Sequence, residues 1–192
     1  PFVFFDQNTI ADDESTRFLN NAFVHNPLLD SGGAAGVDAY GFTPGARLAW
    51  HADAKAGGWW RLSLGAFGAG DGASFGDSFS RPFLVTQLES GRESNGLAGT
   101  YRVYAWTNGS ATPYSNAADS SLARQSGWGL SVDQQLTQTL TGFARYGHAT
   151  VGSARFDQAV TAGLELSGAG WGREKDRLGI ARPLVIAVTI LT

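Results

Sequence analysis

The side chains best equipped for chemistry are five arginines, two carboxylates and four large aromatic residues. The arginines are Arg47, Arg61, Arg102, Arg145 and Arg177; the carboxylates are Asp133 and Glu165; the aromatics are Trp59, Tyr104, Trp106 and Phe143. A guanidinium offers several fixed donors without a large desolvation cost, and a carboxylate accepts from neighbouring hydroxyls. Aromatic faces stack on the apolar faces of sugar rings. Gathered on one surface, such a set makes weak, multiple contacts to neutral solutes crowded with hydroxyls, and its arginine bias discourages cations. The same residues could also brace a wall through ion pairs.

Other chemistries find no support in the residue types. Cys 0 removes disulfides, thiolate metal sites and thiol nucleophiles together. His25, His51 and His148 lie far apart without metal-ligand spacing and fit turn or rim positions. Asp71-Gly72-Ala73-Ser74-Phe75-Gly76-Asp77 misses the ligand spacing of a calcium loop. The glycine-rich Gly65–Gly76 stretch has no following Gly-Lys-Ser/Thr, and no serine sits in Gly-x-Ser-x-Gly. The expectation is a non-enzyme without metal or cofactor. Lys+Arg 14 against Asp+Glu 17 gives a net charge of -3, which leaves no basic footprint for nucleic acid.

The elements that must position the candidate set alternate with period two along nearly the whole chain, the mark of strands with two different faces. Trp60, Leu62, Leu64 and Ala66 oppose Trp59, Arg61, Ser63 and Gly65. Tyr101, Val103 and Ala105 oppose Arg102, Tyr104 and Trp106, and Leu140, Gly142, Ala144 and Tyr146 oppose Thr141, Phe143 and Arg145. The same pattern covers Tyr40–Trp50, Trp128–Asp133 and Val160–Leu166, and more weakly Phe83–Glu89 and Arg177–Ile190. Turn signals fall at Asp53–Gly58, Gly70–Gly76, Glu89–Gly96, Asn108–Ser121 and Gly168–Asp176. About eight strands of roughly ten residues follow. One segment, Asp12–Asn21, breaks the period and fits a short helix with an acidic first turn, inside a long loop over Asp6–Gly36.

Two architectures alternate in this way. A soluble sandwich hides its apolar face and covers the other with lysine, glutamate and threonine. A transmembrane barrel turns its apolar face to lipid and its polar face to a watery lumen, with aromatic girdles at both rims. The composition favours the barrel. Charged residues are 16% of the 192, against roughly 25% in an average domain. Lysine occurs only at Lys55 and Lys175, both in predicted turns, and the polar face pairs arginine with small residues. Tyr40, Trp50, Trp60, Tyr101, Trp128 and Tyr146 cluster near strand ends. No run of 18 apolar residues exists, so a membrane-spanning helix is not expected. The opening Pro1-Phe2-Val3-Phe4-Phe5 has no basic n-region, as in a mature chain or a piece of a longer one.

Several stretches carry a family resemblance. They are Phe18–Gly32, Gly36–Asp53, Gly99–Asn108, Gly127–Ala149 and Ala159–Ala181 in that order, with the sharpest signals at Val132-Asp133-Gln134-Gln135-Leu136, Phe143–Gly147 and Gly172-Arg173…Asp176–Gly179. Together they resemble the carbohydrate-selective outer-membrane porins of the OprB type over roughly Phe4–Ala181. The resemblance implies an antiparallel transmembrane β-barrel in a bacterial outer membrane that passes small sugars. Members of that family are longer and close sixteen strands, so the strands here amount to about half a barrel. An eight-stranded barrel is filled by its own side chains, whereas a conducting pore needs about sixteen strands. The half wall is therefore expected to be completed by further chain or by another copy, a homo-oligomer such as a trimer included. The tail departs from the pattern. Arg182 falls in phase with Leu178 and Ile180, Pro183 is expected to interrupt the ladder, and no aromatic residue ends the chain.

The resulting division is one barrel domain or part of one: 1–36 a strand end and long loop with a short helix, 37–181 a β-meander, and 182–192 an atypical tail. Asp6–Gly36, Gly70–Arg81 and Asn108–Gln125 are the longer, extracellular loops. Two other readings stay open on the sequence. One is a non-transporting barrel fragment with a structural role in an envelope assembly; the other is a soluble β-sandwich that binds carbohydrate.

Overall fold

A computed structural model describes residues 45–54, 57–68, 80–111, 123–152 and 158–186. The expected helix at Asp12–Asn21, and with it His25, Tyr40 and the Asp71–Asp77 segment, lies outside the described residues. Among the described residues there are eight strands: β1 (Gly45–Ala54), β2 (Gly58–Phe67), β3 (Phe83–Ser94), β4 (Leu97–Ala111), β5 (Ala123–Gln135), β6 (Leu140–Val151), β7 (Gln158–Ser167) and β8 (Arg177–Ile186). They form one antiparallel sheet in the order β1-β2-β3-β4-β5-β6-β7-β8. Every strand pairs with its neighbours in sequence. Among the described residues β1 and β8 do not meet, so the sheet is open.

The connections differ at the two ends. At one end lie residues 55–57, 95–96, 136–139 and 168–176; at the other lie 68–82, 112–122 and 152–157. The tightest is Asn95-Gly96, where both residues have positive φ, at 54° and 73°. That is the backbone a two-residue type I′ hairpin turn requires, and Asn followed by Gly is the sequence best suited to it. Thr137 closes the β5–β6 turn by accepting from the backbone N–H of Leu140 at 3.0 Å. A single 3-10 turn, Gly168–Trp171, opens the β7–β8 connection, with the Ser167 hydroxyl accepting from Ala169 N–H.

The two faces separate by chemistry, in the sense the barrel expectation requires. Leu62, Leu64, Leu84, Leu88, Val103, Leu130, Leu164, Leu178 and Ile180 stand exposed on one face. The opposite face buries Ser63, Gln87, Glu89, Ser131, Asp133, Arg145, Thr161 and Glu165 together with Phe67, Phe83, Tyr104, Trp106 and Phe143. A water-soluble sheet would show the reverse. Leu62 is 37% and Leu164 41% exposed, while Arg145 is 4% exposed.

Four inner aromatics share one mode of packing. Trp59 is directly opposite Gly91, Tyr104 opposite Gly129, Trp106 opposite Gly127 and Phe143 opposite Gly163. A Cβ at Gly91 or Gly129 would collide with the Trp59 or Tyr104 ring, and one at Gly163 would lie 2.6 Å from the Phe143 ring. Each ring therefore fills the space its partner glycine leaves free, so bulk on one strand is matched by its absence on the next. Phe67, Phe83 and Trp106 extend this into a row, with centroids 6.3 and 6.4 Å apart.

Three boundaries differ from those expected. β3 runs to Ser94, so Glu89, expected to open a turn, is a strand residue. The connection expected over Asn108–Ser121 is shorter, because β4 continues to Ala111 across a register shift after Asn108 and β5 starts at Ala123. Pro183 does not stop β8: the register continues through Thr161↔Pro183 to Gln158↔Ile186. The physical reason is position. β8 has a neighbour on one side only among the described residues, and an outer strand is where a residue without a backbone N–H is tolerated.

Candidate functional site

All eleven expected site residues share the inner face. The registers link them pair by pair: Arg47 is opposite Gly65, Gly65 opposite Val85, and Val85 opposite Trp106. Trp106 leads through Gly127 to Ala149 on β6, and Phe143 through Gly163 to Ala181 on β8. Directly opposite residues in a sheet share a face, and so do residues two apart on one strand. Arg47, Trp59, Arg61, Arg102, Tyr104, Trp106, Asp133, Phe143, Arg145, Glu165 and Arg177 thus look the same way.

Within this face four side chains form a continuous charged chain across β2, β3, β4 and β5. Arg61 donates from Nε and Nη2 to Glu89 Oε2 at 2.8 and 2.5 Å. Arg102 donates from Nε to Glu89 Oε1 at 3.0 Å and from Nη1 to Asp133 Oδ2. Glu89 thereby has each oxygen taken by a different arginine, and Arg102 holds two carboxylates at once. The register explains it: Glu89 stands directly between Arg61 and Arg102, and Asp133 is one diagonal step from Arg102. Glu89 is 3% exposed, Arg102 10% and Arg61 34%, so the chain opens toward solvent at its Arg61 end. There the guanidinium lies over the Trp59 ring, 5.5 Å from its centroid, and His51 stacks on the same indole at 5.7 Å.

Arg177 Nε pairs with Glu165 Oε1 at 3.1 Å and is 44% exposed. Arg47 donates from Nη2 to Ser63 Oγ at 3.2 Å. Tyr104, Trp106, Phe143 and Arg145 are almost fully buried. Gln87 Oε1, Trp106 Nε1 and Thr161 Oγ1, on the same face, have no hydrogen-bond partner among the described residues. No group of three or more His, Asp or Glu that could hold a metal occurs among the described residues. His51 contacts Asp53 at 3.2 Å on β1, while His148 belongs to an outer-face cluster with Trp128 and Tyr146.

Glu89 is the residue missed by sequence reasoning, and it is the centre of the network. The signal was present: Phe83, Val85, Gln87 and Glu89 keep the inner phase against Leu84, Thr86 and Leu88. The turn-like residues Ser90, Gly91, Glu93 and Ser94 concealed it.

An antiparallel meander with exposed leucines on one face and arginines, carboxylates and aromatics on the other has the strand pattern of a porin β-barrel wall. A sequence profile of the carbohydrate-selective porin family, OprB, matches residues 3–185. The chain belongs to that family, a family of outer-membrane channels. Its fold is similar to that of Pseudomonas putida OprB, solved at high pH, with a TM-score of 0.54 and 21% sequence identity. The similarity covers 73% of this chain and 40% of that one, so the chain spans well under half of that structure's length. A comparison with curated proteins found no match.

Proposed function

We propose that this chain forms part of the wall of a bacterial outer-membrane pore through which small sugars diffuse passively, with the Arg61–Glu89–Arg102–Asp133 chain on its conducting side. The observation that carries the reading is the placement of that charged chain, and of all eleven site residues, on the face opposite the exposed leucines. Neutral solutes suit such a surface. The guanidinium groups are already compensated by carboxylates, which lowers the net field while leaving donor and acceptor positions for hydroxyls. Arg61, the most open member of the chain, pairs a donor fork with the Trp59 ring, the combination that suits a sugar with its polar edge and apolar face. Contacts of this kind are individually weak, and weak contacts permit release as well as entry.

The experiment is planar-bilayer conductance of the porin purified from the outer membrane, with glucose or a short oligosaccharide added. The expected result is a saturable fall in ion current. Current indifferent to sugar at every concentration would overturn the carbohydrate preference.

A further inference from the structure

The outer face is not evenly bulky. Leu48, Leu64 and Leu84 stand out from it, 69%, 47% and 42% exposed, and between them lie Ala46, Ala66 and Ala105. The short side chains leave a groove of about 720 Å³ across β1 to β5, within the range of about 300–1,000 Å³ that ligand clefts occupy. The groove lies at the end of the sheet that carries residues 68–82 and 112–122. Its head is polar. Arg124 is exposed there and donates from Nε to Thr107 Oγ1 at 3.2 Å, and the same hydroxyl accepts from Ser126 Oγ at 2.9 Å. Among the described residues no carboxylate lines the groove.

We propose that this groove is a lipid site: an acyl chain lies between the leucines, and a headgroup phosphate sits on Arg124. The reading rests on the membrane-wall assignment above, which turns this face toward lipid. An apolar trough one side chain deep is complementary to a hydrocarbon chain, and burying that chain removes apolar surface on both partners. The cation at its head selects the charge. A guanidinium takes a phosphate through two parallel hydrogen bonds, and Thr107 holds this one in place, its hydroxyl accepting from Arg124 Nε and donating to the Gln125 backbone oxygen. A zwitterionic headgroup would also bring an ammonium group, for which the described lining of the groove offers no acid. By the usual orientation of barrels, the end with the longer connections faces outward. The occupant is therefore a phosphorylated glycolipid of the outer leaflet.

The test is native mass spectrometry of the intact porin in detergent, titrated with diphosphoryl lipid A, phosphatidylglycerol or phosphatidylcholine, alongside sugar-blocked conductance. Lipid A is expected to be retained in preference to both phospholipids. Arg124→Gln is expected to lower its retention about fivefold, the usual worth of one basic residue at an anionic lipid surface. Ala66→Leu, which fills the trough without changing charge, is expected to lower it as well. Sugar block should be unaltered in both variants. Equal retention by wild type and Arg124→Gln, or phosphatidylcholine held as firmly as lipid A, would overturn the site; phosphatidylglycerol held equally would overturn the glycolipid assignment. Intact lipid selectivity with sugar-insensitive current would instead remove the pore reading and leave the lipid site standing.

Discussion

Replacing Glu89 with glutamine tests the charged chain at its centre. The substitution keeps the size of the side chain and removes the charge that two arginines share. One amide oxygen then serves where two carboxylate oxygens did, and the amide N–H₂ faces a guanidinium. Losing a hydrogen bond to a charged partner costs about 1.5–3 kcal/mol. The Arg102 contact keeps a value near 2 kcal/mol, because Glu89 and Arg102 are 3% and 10% exposed. The Arg61 contact is discounted to about 0.5–1 kcal/mol, because that guanidinium is 34% exposed and screened by water. Together these give a destabilisation of about 3 kcal/mol, read as a lower urea midpoint at unchanged slope. The lost negative charge also leaves the inner face more positive, so the reversal potential in a salt gradient should move toward anion selectivity, and sugar block should weaken. Glu89→Asp should recover most of the ion selectivity. A lower urea midpoint with unchanged reversal potential and unchanged sugar block would refute the reasoning, because the chain would then brace the wall without bordering the conducting path.

Two further substitutions probe the wall. Gly129→Ala places a Cβ against Tyr104 and should lower barrel stability by about 1–3 kcal/mol in the same urea titration, since overfilled packing must shift a ring or the backbone; the double variant Gly129→Ala, Tyr104→Leu should recover part of that loss. Arg182 is exposed on the outer face beside Leu178 and Ile180, opposite Ala162 about half-way along β7. Arg182→Leu should therefore raise stability in lipid vesicles by about 2 kcal/mol, the lower end of the cost of a lipid-facing arginine at mid-depth. A fall in stability would mean that something other than lipid covers this face.

Much of the fold was legible because the period-two signal survives wherever one face meets hydrocarbon and the other meets polar groups. The outer Leu62-Leu64-Ala66 and inner Arg61-Ser63-Gly65 series show this directly, and the same phase put all eleven site residues on one face. What stayed hidden depended on neighbours. Gly91 looks like a strand breaker in sequence, yet within the sheet it is the space Trp59 occupies, so β3 continues past it and carries Glu89 with it. Pro183 looks like a stop, yet on an outer strand its missing N–H costs little. The pairing of Arg102 with both Glu89 and Asp133 likewise depends on inter-strand register, which alternation within one strand leaves undetermined.

The succession of strands has a consequence for how this wall comes into being. Each ladder joins neighbours along the chain, so closing it costs only the entropy of a hairpin loop, and no distant segments have to find each other first. Growth can proceed by adding one strand to an existing margin. The Asn95-Gly96 bend, with the shortest link and a backbone already suited to the reversal, is the natural seed from which β3 and β4 zip before the sheet spreads to either side.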